Sequence, residues 1–152
     1  MLLIDMDPQG HVGACLRVGG GSQRASLSEI LLSEAPREVL EAVRETAVPG
    51  LHITTSDPHL DQTEAALTSR VGRESILRDC VHTTRSHYDT ILIDCPPHLG
   101  NLAINALMAA DHVLVPCDMS SLAYDGVAAL LEMVEMLRVR LRHDLSVLGI
   151  LR

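Results

Sequence analysis

Three aspartates in the 152-residue sequence stand where an apolar run gives way to turn residues. The first run reads Leu2-Leu-Ile-Asp5-Met-Asp7-Pro8-Gln9-Gly10, and because side chains alternate along a strand, Asp5 and Asp7 are expected to point the same way. The second reads Ile91-Leu-Ile-Asp94-Cys-Pro96-Pro97, where consecutive prolines force the chain out of a sheet directly after the acid. An ionised carboxylate at the end of an apolar strand is costly to desolvate unless something pairs with it. A hydrated magnesium ion beside phosphates is one such partner, since magnesium keeps most of its waters and takes only one or two protein carboxylates. The competing reading is that these aspartates cap the helices that follow or fix the turns.

Other polar residues carry weaker signals. His52 and His59, and His82 and His87, lack the i, i+4 spacing of a helical zinc pair, so surface or loop positions are expected for them. His11 follows the first aspartate turn and His98 the second, where each serves either the turn or a ligand. The four cysteines (Cys15, Cys80, Cys95, Cys117) show no C-x-x-C spacing and each sits in or beside an apolar run, as free, buried, reduced thiols do. Twenty acidic against twelve basic side chains leave a net charge of −8, and every basic residue is arginine. That balance argues against a chain whose own field draws it to nucleic acid or an anionic membrane. No signal-peptide pattern opens the sequence, no apolar run approaches the roughly 20 residues of a membrane span, and a cytoplasmic location is expected.

The elements that must position these carboxylates follow from the apolar pattern. Strands are expected at Leu2 to Met6, Leu51 to Thr55, Thr90 to Asp94, His112 to Pro116 and Ser146 to Leu151. Strands apolar on both faces belong in a parallel sheet covered by helices, which gives an α/β fold with a mostly parallel sheet flanked by helices. Ser26-Leu-Ser-Glu29 is a capping box opening a short helix, and Pro36 would begin a second helix running to about Ala47. Helical spacing recurs at Leu60 to Leu67 and Ile76 to Val81, with Gly72 breaking the two apart. A long helix is expected from about Leu122 to Arg142, burying Val127, Leu130, Leu131, Val134, Leu137 and Leu141 on one face. Arg138, Arg140 and Arg142 then complement its C-terminal dipole. Gly19-Gly20-Gly21, within Val18 to Gln23, marks a loop.

Together these motifs resemble a known family. Asp5-Met-Asp7-Pro8-Gln9-Gly10 and Tyr88-Asp-Thr-Ile-Leu-Ile-Asp94-Cys-Pro-Pro-His-Leu-Gly100 resemble the switch I and Walker B/switch II regions of the ParA/Soj partition ATPases, the deviant-Walker-A class of P-loop NTPases. The resemblance continues through Asn105-Ala-Leu, Ala110-Asp-His-Val-Leu-Val-Pro116, Leu122-Ala-Tyr-Asp-Gly126 and Leu148-Gly-Ile. It implies that Asp7 orients the water attacking a γ-phosphate, that Asp94 holds magnesium through water, and that Asp5 supports the same network. Pro8, Gln9 and Gly10 would form the switch I turn, and Pro96, Pro97 and Gly100 would belong to switch II. ATP and magnesium are the implied cofactors. An ATP-driven homodimer, nonspecific DNA on the nucleoid and a ParB-like protein are the implied partners, with no membrane.

The resemblance also implies what to look for elsewhere. The family grips phosphates with a K-G-G-x-G-K-[ST] loop, and a sequence without lysine cannot supply it. Residues 1–152 are therefore expected to be a single incomplete nucleotide-hydrolase domain lacking the P-loop strand and the C-terminal part, from an interrupted gene or an internal start. Such a chain is expected to be inactive alone. The absent strand would lie beside the Walker B strand, whose neighbours would then close up or keep unpaired edges. A non-catalytic remnant or regulatory partner of an intact ParA-like protein, and a MinD-like or iron-protein-like relative, are the alternatives.

Overall fold

The computed structural model describes residues 1–16, 18, 25–54, 56–117 and 121–151, with side chains of the last stretch described from Tyr124 onward. The glycine run read as a loop lies outside these residues, as do Thr55 and the Leu122 side chain.

Strand β1 (Leu2–Asp5) is the spine of the molecule. It pairs in parallel on one side with β3 (His52–Thr54) and on the other with β4 (Ile91–Asp94). A two-residue strand β2 (Arg44–Glu45) adds antiparallel to β3, giving the order β2-β3-β1-β4. A second, two-stranded parallel sheet joins β5 (His112–Pro116) to β6 (Ser146–Leu151). The α/β class and the mostly parallel sheet are thus as expected. Among the described residues β4 is the last strand of the larger sheet, and β5 and β6 pair only with each other.

Helices α1 (His11–Cys15), α2 (Leu27–Leu32), α3 (Leu60–Leu67), α4 (Ile76–Cys80), α5 (Asn101–Ala109) and α6 (Ser121–Arg140) cover the strands. The capping box of α2 forms both of its bonds, Glu29 N–H to Ser26 Oγ at 3.1 Å and Ser26 N–H to a Glu29 carboxylate oxygen at 2.9 Å. The larger core gathers Leu2, Ile4 and Met6 of the β1 run with Leu27, Leu31, Leu60, Leu67, Leu77 and Leu102. A second core joins Leu107 and Met108 of α5 to Val113, Val115, Val134, Leu137 and Leu145. Helix α5 therefore contributes to both cores and bridges the two sheets.

Three sequence expectations are corrected. The helix from Pro36 to Ala47 is replaced by one 3-10 turn (Val39–Ala42) followed by β2. Val39, Ala42 and Val43 are buried, and one turn of helix already satisfies that i, i+3, i+4 spacing. Arg44 and Glu45 then pair with Ile53 and His52, and the connection turns at Pro49-Gly50, where Gly50 takes a φ of 76°. On α6, Val134 and Leu137 are buried and Val127 and Leu130 half-buried, but Leu131 is 41% exposed, and Leu141, 45% exposed, lies past the helix end at Arg140. This helix packs on a sheet of only two strands, which accommodates a narrower stripe than the sequence offers. The cysteines are all free, yet Cys15 and Cys95 are exposed and only Cys80 is buried.

Candidate functional site

The carboxyl ends of β1 and β4 lie side by side, and Asp5 and Asp94 are direct partners in the parallel register. The pairing closes one residue later, where Met6 N–H donates to the Asp94 carbonyl at 2.9 Å. In open α/β sheets ligands bind outside this end of the strands.

Asp5 is fully buried. Its Oδ1 accepts the Asp7 backbone N–H at 3.2 Å, whereas Oδ2 is buried without a partner. Burial raises the Asp5 pKa above its ordinary value; hydrogen bonds from the Asp7 and Gly13 backbones oppose this, and the charges of Asp94 and Asp7 add to it. Asp94 is raised as well, first by desolvation and then by Asp7, with the Cys95 N–H and the His11 ring pulling the other way. Two carboxylates with raised pKa values and one orphaned buried oxygen form a site short of positive charge.

The turn after β1 is built by Asp7. Its Oδ1 accepts the Gln9 N–H at 3.0 Å and its carbonyl accepts the Gly10 N–H at 3.0 Å, closing a turn over Pro8 and Gln9 directly before α1. Gly10 is the N-cap of α1 and adopts the left-handed conformation, φ 62° and ψ 29°. A Cβ there would also stand 3.4 Å from Ser56 Cβ. Gly10→Ala is accordingly expected to cost about 1–2 kcal/mol, the left-handed penalty of a residue with a Cβ, read as a lower urea midpoint.

The turn-fixing role of these aspartates is thus real for one oxygen of Asp5 and one of Asp7. Helix capping is not their work, because the N-caps of α1 and α5 are Gly10 and Gly100. The structure brings Asp5, Asp7, Asp94 and the Pro8–Gly10 turn together. Pro96 is buried and Pro97 exposed on the path from Asp94 to Gly100, and His98 is exposed beside Gly100. Sequence reasoning missed Glu64, whose carboxylate receives the first amides of α5, and gave no role to Asn105 of the Asn105-Ala-Leu match, which is fully buried and links α5 to α4. It also missed His143, whose Nε2 lies 3.0 Å from the carbonyl oxygens of Leu107 and Ala110 at the end of α5.

The fit to a divalent cation rests on these donors. Among the described residues no group of three or more His, Cys, Asp or Glu side chains is gathered closely enough to hold a metal directly. The orphaned Asp5 Oδ2 and the two raised carboxylates fit a hydrated ion held partly through water, which is how magnesium binds beside phosphates.

The α/β fold, with a mostly parallel sheet that brings two carboxylates to adjacent strand ends, is that of ParA/MinD-like P-loop NTPase structures. Residues 1–147 match the AAA domain family AAA_31, and the chain belongs to this family of ParA-type P-loop NTPases. It is 37% identical over 150 residues to the chromosome partitioning protein ParA of Myxococcus xanthus, covering 99% of this chain and 52% of that protein. It is 33% identical over 151 residues to the sporulation initiation inhibitor protein Soj of Bacillus subtilis, covering 99% of this chain and 59% of that protein. Cobyrinic acid a,c-diamide synthase from Mycobacterium smegmatis, solved with a bound ATP analogue and magnesium, superposes with a TM-score of 0.84 at 32% identity, over 99% of this chain and 60% of that one. The chain therefore spans between half and two thirds of the length of these three relatives.

Proposed function

We propose that residues 1–152 supply the switch I and Walker B half of a ParA-type partition ATPase site. The observation that carries this reading is the pairing of Asp5 with Asp94 at neighbouring strand ends, both with raised pKa values and with one buried oxygen unpartnered. In this reading Asp94 holds magnesium through water and Asp5 steadies the same water network. Asp7, which builds the turn, orients the attacking water, with Pro8, Gln9 and Gly10 setting its distance from the phosphate. Pro96, Pro97 and Gly100 carry the loop that responds to the nucleotide. The chemistry magnesium supplies when bound is neutralisation of charge on the phosphate oxygens.

With no lysine in the sequence, the phosphate-cradling loop and its lysines are not supplied by these 152 residues. The net charge of −8 argues against the overall field of these residues drawing them to DNA. A ParB-like partner, nonspecific DNA, an ATP-dependent homodimer and a cytoplasmic, nucleoid-associated location belong to this proposal for the whole protein. No helix of the described residues is long and apolar enough to cross a membrane.

Titration of a fluorescent ATP analogue into the 152-residue chain, with and without magnesium, tests the division of labour. Binding weaker than about 1 mM is expected, because the charge-assisted contacts that contribute most of the phosphate affinity are missing. Tight magnesium-dependent binding would overturn it.

A further inference from the structure

Glu64, on α3, belongs to no motif of the sequence, yet it holds the start of the helix that follows Asp94. Its Oε1 accepts the Asn101 backbone N–H at 2.5 Å and its Oε2 accepts that of Leu102 at 2.8 Å. These are amides that the first turn of a helix leaves without an intrahelical partner, and the helix dipole favours a carboxylate there. The N-cap itself, Gly100, has no side chain for the task. Asn101 completes the attachment, its Nδ2 donating to the Glu64 carbonyl oxygen and to Thr68 Oγ1, both at 3.0 Å. Because Glu64 fills these amides, the start of α5 is not open to a phosphate. Its position instead fixes where the connection Cys95–Gly100 must end, and two of the residues in that connection are prolines.

We propose that Glu64 is a positioning residue for Asp94: it pins the far end of the Cys95–Gly100 connection to α3, so that the near end keeps the Asp94 carboxylate beside Asp5. Gly100 is part of the same device. A Cβ there would fall on the Glu64 carboxylate and stand 3.0 Å from His98 Cδ2. Its φ of −94° is open to any residue, so the glycine is required by space and not by backbone conformation. The inference rests on the magnesium role given to Asp94 above.

Amide hydrogen exchange on the 152-residue chain, together with line broadening by Mn2+ alone, tests it. In Glu64→Ala the amides of Cys95, His98, Leu99, Asn101 and Leu102 are expected to exchange about tenfold faster, the scale of losing charge-assisted hydrogen bonds, while those of Leu3 and Ile4 keep their rates. The Mn2+ concentration that broadens the Asp5 and Asp94 signals should rise about tenfold, as when a residue orienting a metal ligand is removed. Glu64→Gln, which keeps one acceptor oxygen, should fall between. Gly100→Ala should reproduce Glu64→Ala, and the double variant should be no worse than either. Acceleration spread evenly into β1 and α2 would mark a prop for the whole fold and overturn the proposal, as would unchanged exchange in the connection or an unchanged Mn2+ response. If the unaltered chain shows no selective broadening at Asp5 and Asp94, the magnesium role of Asp94 fails; exchange at Cys95, next to Asp94, then decides by itself whether Glu64 positions this strand end.

Discussion

Replacing Asn105 with alanine is expected to lower the stability of the chain by about 3 kcal/mol, seen as a large drop in the urea midpoint with little change in slope. Asn105 is fully buried, and its side chain meets three backbone groups. Oδ1 accepts the Leu77 N–H at 3.0 Å, and Nδ2 donates to the Arg73 carbonyl at 2.6 Å and the Asn101 carbonyl at 2.8 Å. Truncation would strand the Leu77 amide in the interior and leave the part-buried Arg73 carbonyl without its donor, and a stranded buried group costs about 1–3 kcal/mol. A small cavity adds to that. Asn105→Asp separates the contributions. It keeps the acceptor for Leu77 but turns an oxygen toward two carbonyls, so it should be destabilised at pH 7. Protonation of the introduced carboxyl restores a donor, and stability should recover as the pH falls through its raised folded pKa.

The loss would be felt beyond α4, because α5 carries residues of both cores. Leu102 and Ala109 pack into the larger core, Leu107 and Met108 into the smaller. At its far end His143 meets the last carbonyls, and at its near end Glu64 meets the first amides. The two sheets share no hydrogen-bonded ladder among the described residues, so their relative placement depends on this helix.

That helix was also the least legible element in the sequence, for a physical reason. Leu102, Ala103 and all of Asn105–Ala109 are buried, so the segment has no polar face and no amphipathic period to read. The strands were legible because short apolar runs ended at aspartates and prolines, and the Ser26–Glu29 box was legible because both of its bonds are local. Glu64 was not, since its partners lie 37 and 38 residues away and a glutamate within a helix carries no distinguishing signal. The false helix after Pro36 had the opposite cause. Val39, Ala42 and Val43 match a helical stripe, but tertiary pairing of Arg44 and Glu45 with β3 overrides it. At the candidate site, the apolar runs marked the strand ends that carry Asp5 and Asp94, and only the family resemblance implied that they share one network; the orphaned Asp5 oxygen and the raised pKa values arise from burial.

Asp5→Asn is expected to make the metal-free chain more stable by about 1 kcal/mol at pH 7, on the scale of gains found when a strained functional position is relieved. Ionised Asp5 is buried beside Asp94 and Asp7 without a counter-charge. The asparagine keeps Oδ1 for the Asp7 N–H and presents an amide donor toward the two remaining carboxylates. The pH dependence follows from the raised pKa of Asp5. Protonated Asp5 favours the folded state; that contribution is complete below the unfolded value and is lost as the pH rises through the folded one. The advantage of the asparagine should therefore be largest at neutral pH and shrink toward pH 4, compared by urea midpoints at both. The same substitution removes half of the paired negative charge at the strand ends. Under the proposed function, the same change in a full-length protein should reduce magnesium-dependent ATP hydrolysis by about a hundredfold, or about 2.7 kcal/mol of transition-state stabilisation. Stability and activity moving in opposite directions is the signature of carboxylates kept at these strand ends for a cation. Had Asp5 served only to fix the turn, the asparagine would leave activity unchanged, because the acceptor that the turn uses is retained.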